Sequence, residues 1–535
     1  MSIKLLDCTL RDGGYLNDWN FGYNSMLNIT KRLIKSNVDI IEVGFLDDKH
    51  NFDINRSINP STDCFDKIYK DLDKKNTRIA AMINFGTCSI ENIAPKSESK
   101  IDIIRVIFKK PKIEDVFSFC YQLKEKGYDL FLNPVSITSY SDRDMLDLID
   151  KVNELEPYAM SLVDTYGLLH QEKLFKYFYL LDNNLKSSIR IGYHAHNNFQ
   201  LAYSNAIRLL DIKTKRNIIL DSSLFGMGKS AGNCNTELLA NYLNNFYEKH
   251  YDIPEILNII ELEILKYKKY TDWGYQLTYY LAASNSCHPN YAKHLEDKNM
   301  LRVQEINSIL SLIDEEHKLE YNEEYIENLY LDYQAKEFDD KTSCEELKEQ
   351  LKGKSILLIG PGASVKEEYR TIKDYIDKNN LLTFSINHVN KIFDTDYIFI
   401  SNNKRYDQFV EKLETLNNNS KLITTSNISP NNNSSNYVIN YANLISRELS
   451  VGQSSLFMVI NLLKKLEVKE IVLAGFDGFN KLTQPYYDTE LQFRQEVQNG
   501  NEITNAIVEQ IENFKKEVKI IFITKSNYQK GLSNE

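Results

Sequence analysis

Positive charge, cysteine and long apolar runs are all scarce in this 535-residue chain. Its 75 Asp and Glu residues outnumber 64 Lys and Arg residues, giving a formal net charge of −11. No global basic field therefore favours nucleic acid or anionic lipid. No segment approaches the roughly twenty apolar residues of a membrane helix, and the opening MSIKLLDCTLRDGG lacks the apolar stretch of a signal peptide. We expect neither a nucleic-acid nor a membrane partner.

The cysteines exclude two further classes of protein. There are seven, scattered along the chain and without a CxxC pair. An odd, unpaired set of this kind argues against a disulfide framework and against a zinc site. Reduced thiols are typical of a cytoplasmic protein, so we expect a cytoplasmic location.

What the chain does have, over residues 1–250, is an alternation of short β-rich runs with longer amphipathic stretches. Eight such repeats within about 245 residues match a TIM (β/α)8 barrel in count and size. The predicted strands are Lys4–Leu10, Val38–Phe45, Arg78–Asn84, Asp102–Phe108, Asp129–Pro134, Ala159–Val163, Ile189–His194 and Ile218–Ser222.

Two further regions follow the predicted barrel. Residues 251–345 are mostly helical in pattern and are predicted to be a helical extension and linker. Residues 346–535 again alternate strands and helices and predict an open, Rossmann-like α/β domain. Its predicted strands are Ser355–Gly360, Leu382–Ile386, Tyr397–Ser401, Lys421–Thr425, Glu470–Ala474 and Val518–Thr524, with a helix over Ser454–Leu466.

Polar motifs fall at the carboxyl ends of the predicted barrel strands, where barrel enzymes carry their catalytic groups. Arg11 and Asp12 follow the first strand, and Thr165 follows the sixth. His194 and His196 alternate along the seventh strand and therefore face the same side. Alone, two such histidines could simply satisfy local hydrogen bonds. Combined with the other two motifs, they favour an oxygen-and-imidazole site for a divalent metal that polarises a 2-keto acid.

The first 290 residues resemble the DRE-TIM metallolyase superfamily. This family includes 4-hydroxy-2-oxovalerate aldolases, 3-hydroxy-3-methylglutaryl-CoA lyases and condensing enzymes of the isopropylmalate-synthase type. The aldolase branch is the most similar of these. The segments that carry the resemblance, in the family's order and spacing, are DCTLRDGG, IEVGF, VDTYG, YHAHNN and GMGKSAGN.

The resemblance implies a metal site and a reaction. Asp12, His194 and His196 are implied to bind Mn²⁺ or Mg²⁺, and Asn233 to add a ligand or a supporting contact. Arg11 is implied to stabilise the enolate of pyruvate or a related 2-keto acid. An enolate oxygen does need a metal and a fixed cation in a water-poor site. The implied enzyme is a metal-dependent aldolase that breaks or makes a carbon–carbon bond between this enolate and an aldehyde.

Two positions depart from the resembling families. Tyr15 stands where the aldolase branch has a catalytic histidine. A phenol with an ordinary pKa near 10 could act as an acid, or as a base if a metal lowers that pKa. Alternatively, a metal-bound water transfers the proton and Tyr15 only packs on the substrate. Gly14 stands where the condensing enzymes have an acidic residue that helps with acyl-CoA, which favours an aldehyde. A Claisen-type acyl-CoA synthase and a non-catalytic sensor that binds a keto acid and a nucleotide remain alternatives.

Several other side chains are candidates for the mouth of the barrel. Thr165 and Lys229 are predicted to bind substrate, Lys229 through a phosphate or carboxylate. His288 and Tyr291 could close over the site and donate a proton, or form only a helix-start turn with a packed tyrosine. Glu42 and Asn84 are candidates as well, or polar fillers of the mouth.

The predicted C-terminal domain has a glycine turn that suggests a nucleotide. Gly360, Gly362 and Ser364 follow a strand and lead into a helix, an arrangement that cradles phosphates with backbone amides. The segments GPGASV, SINHV, DYIFISN, SVGQSSLFMVINLL and KEIVLAGFDGF resemble DUF115-type and family-42 sialyltransferase-like Rossmann domains, which implies a nucleotide or nucleotide-sugar. Asn387, Ser454 and Asp477 are the other matching residues. A tight structural turn is the alternative, and the pattern does not fit NAD.

Together the two domains predict an enzyme of small molecules, a 2-keto acid and an aldehyde. One hypothesis is that the aldehyde is a sugar and that the product enters a surface glycan, although this link rests on fold analogy. Barrel aldolases of this kind are often homo-oligomers, and the sequence does not identify an interface.

Overall fold

The computed structural model describes residues 2–335, 337–415, 420–428, 436–446, 451–478, 486–491 and 500–529. Their contacts divide the chain into two compact units. The first unit contains Met1–Ala292 and Asp314–Tyr321, and the second contains Lys293–Ile313 and Asn322–Glu535. Across the described ranges, no helix has both the length and the apolar character needed to cross a membrane.

The first unit is a closed parallel β-barrel surrounded by helices. The strand order is β1-β9-β8-β7-β6-β5-β4-β2, and pairing of β1 with β2, for example Leu6 with Ile40, closes the barrel. A two-residue strand, β3, adds to the end of β2. The strands are β1 (Ile3–Asp7), β2 (Ile40–Leu46), β3 (Ile58–Asn59), β4 (Arg78–Asn84), β5 (Ile103–Phe108), β6 (Asp129–Pro134), β7 (Ala159–Asp164), β8 (Arg190–Ala195) and β9 (Ile218–Ser222).

The barrel strands are buried almost throughout, because helices cover the outside of the sheet and side chains fill the inside. The helix Asp142–Leu155 (α5) shows how the sequence sets a helix start, because Ser141 and Asp144 form a reciprocal capping box. The connection from β4 to β5 has 3-10 turns instead of an α-helix. The helices of this region are α1 (Thr9–Asp12), α2 (Tyr23–Lys35), α3 (Thr62–Ile68), α4 (Ile113–Glu125), α5 (Asp142–Leu155), α6 (Gln171–Asn184), α7 (Ala202–Leu210) and α8 (Thr236–Phe246).

A helical region follows α8. Its helices are α9 (Ile253–Ile259), α10 (Leu277–Ser284), α11 (Pro289–Asp297), α12 (Val303–Leu310), α13 (Glu323–Gln334) and α14 (Lys341–Leu351). A short π-helical segment, Ile260–Ile264, continues α9.

The second unit contains an open parallel sheet with the order β14-β13-β12-β11-β10-β15-β16. The chain builds outward from β10 in one direction and then returns to its other side, so the strand order reverses between β10 and β15. The elements are β10 (Ser355–Ile359), α15 (Ser364–Glu367), α16 (Tyr369–Asn379), β11 (Leu382–Ile386), β12 (Tyr397–Ile400), α17 (Asn403–Thr415), β13 (Lys421–Thr425), β14 (Tyr437–Ile439), α18 (Ser455–Lys465), β15 (Glu470–Ala474), α19 (Gly500–Phe514) and β16 (Ile520–Phe522).

The predicted barrel and open α/β sheet are both confirmed, with one local correction at the start of the chain. The first strand was predicted to run to Leu10, but it ends at Asp7 and Thr9–Asp12 form a helical turn. The Asp7 carboxylate accepts a hydrogen bond from the backbone N–H of Thr9 at 3.0 Å and so favours the turn. The short strands β3 and β14 were not predicted.

Candidate active site

A cavity of about 540 Å³ opens among the carboxyl ends of the barrel strands. The loops that follow the strands supply most of its wall, as in other barrels of this type. Candidate residues that line it are Arg11, Asp12, Tyr15, Asn84, Thr165, His194, His196, Lys229 and His288.

The helical turn α1 brings Arg11 and Asp12 into the same cavity. Adjacent residues of an extended strand point to opposite faces, whereas both of these side chains reach the cavity wall. They are 4 % and 1 % exposed, and Nη1 of Arg11 lies 2.9 Å from Oδ1 of Asp12. Because residues Thr9–Asp12 form a helical turn and not a strand, one short motif supplies both a cation and a carboxylate to the cavity.

Asp12, His194 and His196 bring one possible ligand atom each to within 4.8 Å of one another. Nε2 of His194 lies 3.7 Å from Oδ2 of Asp12, and Nε2 of His196 lies 4.0 Å from the same oxygen. These distances are too long for hydrogen bonds. Two imidazoles and a carboxylate facing a common point are suitable ligands for a divalent metal.

The electrostatics of these three groups suit metal binding. Burial raises the pKa of Asp12, but Arg11 and the two histidines outweigh it and hold that pKa well below its usual range. Burial lowers the pKa of His196 to about 4. At neutral pH the site therefore offers an ionised carboxylate and a neutral imidazole, the forms that bind metals.

A chain of buried ionic groups, Arg11–Glu42–Arg105–Asp221–His194, supports the site. Arg11 donates through Nε to Glu42 at 2.7 Å, and Nη1 of Arg105 lies 3.1 Å from Glu42 Oε1. Arg105 also pairs with Asp221, whose Oδ2 lies 3.0 Å from Nδ1 of His194. Because a carboxylate can only accept, His194 donates from Nδ1 and turns the lone pair of Nε2 toward Asp12.

Sequence reasoning missed Arg105 and Asp221 and left Glu42 as a filler or a candidate. Arg105 and Asp221 lie within the apolar strands β5 and β9. A charged residue in a strand predicted to be buried was the available signal, because buried charges require partners.

Asn233 lies beside the candidate ligands and contacts Asp12. Its Nδ2 donates to Oδ2 of Asp12 and approaches Sγ of Cys8 at 3.3 Å. In this orientation the amide holds the carboxylate in place. Asn233 as a direct metal ligand stays a prediction.

Tyr15 lies at the cavity mouth in an aromatic cluster. The Tyr15 side chain is 43 % exposed. The centre of its ring lies 4.8 Å from the centre of the Trp19 ring and 6.2 Å from that of Phe45, and both contacts are edge-to-face. Burial of the hydroxyl end raises the pKa of Tyr15 to about 12. The phenol is therefore protonated at neutral pH.

Trp19 accounts for the glycine at position 14. A Cβ at Gly14 would lie 2.0 Å from Cδ1 of Trp19. The indole is fixed there because its Nε1 donates to the backbone carbonyl of Arg11 at 2.8 Å. Any side chain at position 14, acidic or not, would displace Trp19.

Lys229 and His288 face each other across another part of the cavity wall. Nζ of Lys229 lies 3.4 Å from Nε2 of His288 and 5.4 Å from the centre of the Tyr15 ring. Burial lowers the pKa of Lys229, and burial followed by the charge of Lys229 lowers the pKa of His288 to about 4. His288 Nδ1 accepts from the backbone N–H of Asn290 at 3.2 Å. A donor therefore approaches each ring nitrogen, the Asn290 amide at Nδ1 and the Lys229 ammonium at Nε2, and these contacts do not select one tautomer.

Thr165 and Tyr291 are placed differently from each other. Thr165 lines the cavity, and its Oγ1 accepts from the backbone N–H of Ser136 at 2.8 Å. Tyr291 is fully buried, and its hydroxyl contacts the backbone carbonyls of His317 and Glu320 at 2.9 and 2.6 Å. The structure does not bring the Tyr291 side chain to the cavity.

In the second unit, the predicted nucleotide-binding turn is filled by the protein itself. Asp477 accepts hydrogen bonds from the backbone N–H of Ser364, at 2.9 Å, and from its hydroxyl. A Cβ at Gly362 would lie 2.5 Å from Asp477, and one at Gly360 would lie 2.5 Å from the Gly475 carbonyl oxygen. The glycines thus permit two loops to approach closely. Asn387, also predicted to bind the nucleotide, donates to Ser455 and accepts from the Ser401 amide.

Comparison with known proteins identifies the family of the barrel. The HMGL-like family model matches residues 2–262. Residues 2–262 are an HMGL-like domain. Among curated relatives, the oxaloacetate decarboxylase of Mycobacterium tuberculosis is 23 % identical over 239 residues, 44 % of this chain and 68 % of that protein. A Marinomonas 4-hydroxy-2-oxovalerate aldolase is 22 % identical over 265 residues, 48 % of this chain and 76 % of that protein.

Among solved structures, the N-terminal domain of a proposed aldolase from Bacteroides vulgatus is similar to this HMGL-like domain. It is 23 % identical, covers 58 % of this chain and 100 % of its own length, and has a TM-score of 0.47. The curated relatives also include a 2-isopropylmalate synthase of Saccharolobus solfataricus, 24 % identical over 237 residues. At such identities the matches establish an enzyme family and not one reaction.

Proposed function

We propose that the HMGL-like domain is a divalent-metal-dependent aldolase. It breaks or makes a carbon–carbon bond between the enolate of pyruvate, or a related 2-keto acid, and an aldehyde. The observation that carries this proposal is the convergence of Asp12, His194 and His196 beside Arg11 in the barrel cavity. The named relatives, a decarboxylase, aldolases and a synthase, all process carbon–carbon bonds.

The residues present fit a divalent metal. A bound Mn²⁺ or Mg²⁺ would be held by Asp12, His194 and His196 and would supply a Lewis acid for the keto oxygen. The orientation of His194 by Asp221 supports this assignment, because a metal-binding imidazole usually donates its second N–H to a carboxylate.

Arg11 supplies the fixed positive charge for the substrate. Its Nε and Nη1 are engaged by Glu42 and Asp12, which hold the guanidinium in one orientation at the cavity wall. We assign Nη2 to the substrate. A preorganised cation at a developing enolate stabilises the transition state more than the ground state.

Tyr15 and His288 are the candidate proton donors. With a pKa of about 12, the Tyr15 hydroxyl holds its proton at neutral pH and suits the role of an acid better than that of a base. His288 lines the same cavity beside Lys229. In the aldol direction, either group would deliver a proton to the alkoxide that forms from the aldehyde oxygen.

The geometry near position 14 favours an aldehyde over an acyl-CoA. Trp19 occupies the space beside Gly14, which removes the place for the acidic side chain that condensing enzymes use. Lys229 is the candidate partner for a phosphate or carboxylate on the electrophile, because its ammonium lies at the cavity wall. A sugar aldehyde that bears such a group is our working hypothesis for the second substrate.

Decarboxylation of a four-carbon 2-keto diacid is the second candidate function. It passes through the same enolate, and Lys229 could hold the carboxylate that does not leave. The similarity to an oxaloacetate decarboxylase favours keeping this candidate.

Exchange of the methyl protons of pyruvate in D₂O, followed by NMR, tests the proposal. The metal-stripped protein should be inactive, and Mn²⁺ or Mg²⁺ should restore exchange. Asp12→Asn should abolish it, whereas Asp142→Asn, a surface carboxylate paired with Lys176, should not. Metal-independent exchange, or none with any metal, would contradict the proposal.

Three additions then separate the reactions that share this enolate. Consumption of an aldehyde identifies an aldolase, release of CO₂ from oxaloacetate identifies a decarboxylase, and release of free thiol from acetyl-CoA identifies a Claisen synthase. Exchange that persists without any of these outcomes would point to another electrophile.

A further inference from the structure

The second unit contains a cavity of its own, about 510 Å³ in volume. Gly362, Asn387 and Gly475, which follow β10, β11 and β15, are part of its wall. It therefore lies at the carboxyl edge of the sheet, where the strand order reverses. Open parallel sheets bind ligands at this position, and the volume is in the range of small-molecule sites.

The glycine turn at this edge, Gly360–Ser364, does not present a free phosphate-binding amide at Ser364 to a ligand in the cavity. Asp477 already accepts from the backbone N–H of Ser364, the amide that would otherwise face a phosphate. The helix that follows, α15, spans only four residues. The polar groups that suit a ligand therefore belong to other side chains of the wall.

His388 is the first of these side chains. It is 1 % exposed and lines the cavity. Its Nδ1 lies 2.9 Å from the carbonyl oxygen of Ile386. Since a carbonyl oxygen only accepts, Nδ1 carries the hydrogen and Nε2 of the neutral ring is an acceptor. Nε2 is buried without a hydrogen-bond partner among the described residues, and burial holds the pKa of His388 at about 4.

Gln453 supplies a second acceptor in the same wall. Its Nε2 donates to Oε1 of Glu327 at 3.0 Å, which fixes the amide orientation. Its Oε1 is buried and, within the part of the chain that the structure describes, accepts no hydrogen bond. Buried polar atoms are rarely left without a partner, because each one costs free energy.

Two acceptors in the wall of one cavity suit a ligand that carries several O–H or N–H donors. The wall also contains the aromatic side chains of Phe476, Tyr486 and Tyr528, whose faces and edges suit the apolar side of a hydroxylated ring. Arg405 lines the same cavity and adds a positive charge.

We propose that this cavity binds a small polyhydroxylated ring compound whose hydroxyl groups donate to Nε2 of His388 and Oε1 of Gln453. Ring hydroxyls are the chemistry shared by free sugars, sugar phosphates and nucleosides. In the wall, Arg405 and Lys298 are balanced by Asp297 and Asp477, so charge alone does not select among these compounds. This site is separate from the barrel cavity and does not depend on the function proposed there.

Saturation-transfer NMR and titration with three probes test the proposal on the full chain. The probes are D-glucose, glucose 1-phosphate and uridine. His388→Phe keeps a ring of similar size but removes the acceptor, and Gln453→Met does the same for the amide oxygen. His250→Phe, at an exposed histidine of the barrel unit, is the matched control. Circular dichroism establishes that each variant is folded.

We expect at least one probe to bind the unaltered protein saturably and the identity of that probe to show the source of the ring. Loss of one hydrogen bond to a buried acceptor should weaken binding roughly tenfold in each cavity variant and leave His250→Phe unchanged. The proposal is overturned if no probe binds saturably, or if neither cavity variant weakens binding. If His388→Phe does not fold, Gln453→Met decides the result.

Discussion

Asp221→Asn is the sharpest test of the chain of buried ionic groups in the barrel. The change keeps the size of the side chain and removes its charge. In the structure Asp221 Oδ2 accepts from His194 Nδ1 at 3.0 Å and pairs with Arg105. An amide in its place can present an N–H to His194, which favours the wrong tautomer and turns the Nε2 lone pair away from the metal site.

Asp221→Asn should have two effects, a weaker affinity for the metal and a lower free energy of unfolding. Loss of a partner behind a metal-binding histidine typically weakens metal affinity by about 10- to 100-fold. Removal of one partner from a buried ion pair costs about 3–5 kcal/mol of the free energy of unfolding. We expect about 3 kcal/mol, because Arg105 keeps Glu42 at 3.1 Å.

The pH dependence of stability has a definite sign for this residue. Burial raises the pKa of Asp221, but Arg105 and His194 outweigh it and lower that pKa below its ordinary value. A lowered pKa stabilises the folded state above the unfolded pKa of about 4, and this stabilisation is lost as the pH falls. The variant should lack this contribution, so its deficit should shrink in acid.

Mn²⁺ binding measured by electron paramagnetic resonance, together with urea unfolding, provides the readout. Asp7→Asn is the matched control, because Asp7 is equally buried in the barrel but bonds to Thr9 and Thr236 instead of His194. A folded Asp221→Asn protein with unchanged Mn²⁺ affinity would refute the orienting role of Asp221. An equal loss of affinity in Asp7→Asn would show that the effect is not specific.

Two further predictions concern the same end of the barrel. Gly14→Ala should displace Trp19, shift the Trp19 fluorescence and lower the free energy of unfolding in urea by about 1–3 kcal/mol. Gly13→Ala is the control and should cost less, because a Cβ there meets only the flexible Met227 side chain at 3.1 Å. Equal losses of stability in the two variants would contradict the role of Trp19. Burial raises the pKa of Asp7 to about 6. The stabilisation by protonated Asp7 is therefore present below the unfolded pKa near 4 and is lost as the pH rises through 6. Urea unfolding should show Asp7→Asn gaining stability relative to the unaltered protein between pH 4 and 6, by up to about 3 kcal/mol. A stability difference that is constant with pH would contradict the raised pKa.

The sequence predicted the barrel well because its signal is local and repeated. Each strand is a short apolar run bounded by polar turns, and three predicted strands, Arg78–Asn84, Asp129–Pro134 and Ile218–Ser222, match the structure residue for residue. The alternation of His194 and His196 predicted a shared face, and both reach one cavity. The motif order also indicated the DRE-TIM metallolyase superfamily, and the HMGL-like family model matches residues 2–262.

Local patterns did not reveal interactions between distant strands. Arg105 and Asp221 are 116 residues apart, and only closure of the barrel brings them together and places Asp221 behind His194. The Gly360 turn shows the opposite case, since its pattern suggested a phosphate site that Asp477, also distant in sequence, fills.

The amino-acid sequence by itself indicated the fold of the barrel, its family, the carboxylate and imidazoles of the candidate metal site, and the cation beside them. The tertiary structure alone decided which atoms of those groups face each other and that Trp19 requires a glycine at position 14. It also decided that Nε2 of His388, in the wall of a second cavity, has no hydrogen-bond partner among the described residues. The reason is physical: periodicity and composition act through neighbours along the chain, whereas hydrogen-bond direction, tautomer and desolvation depend on groups that only folding brings together.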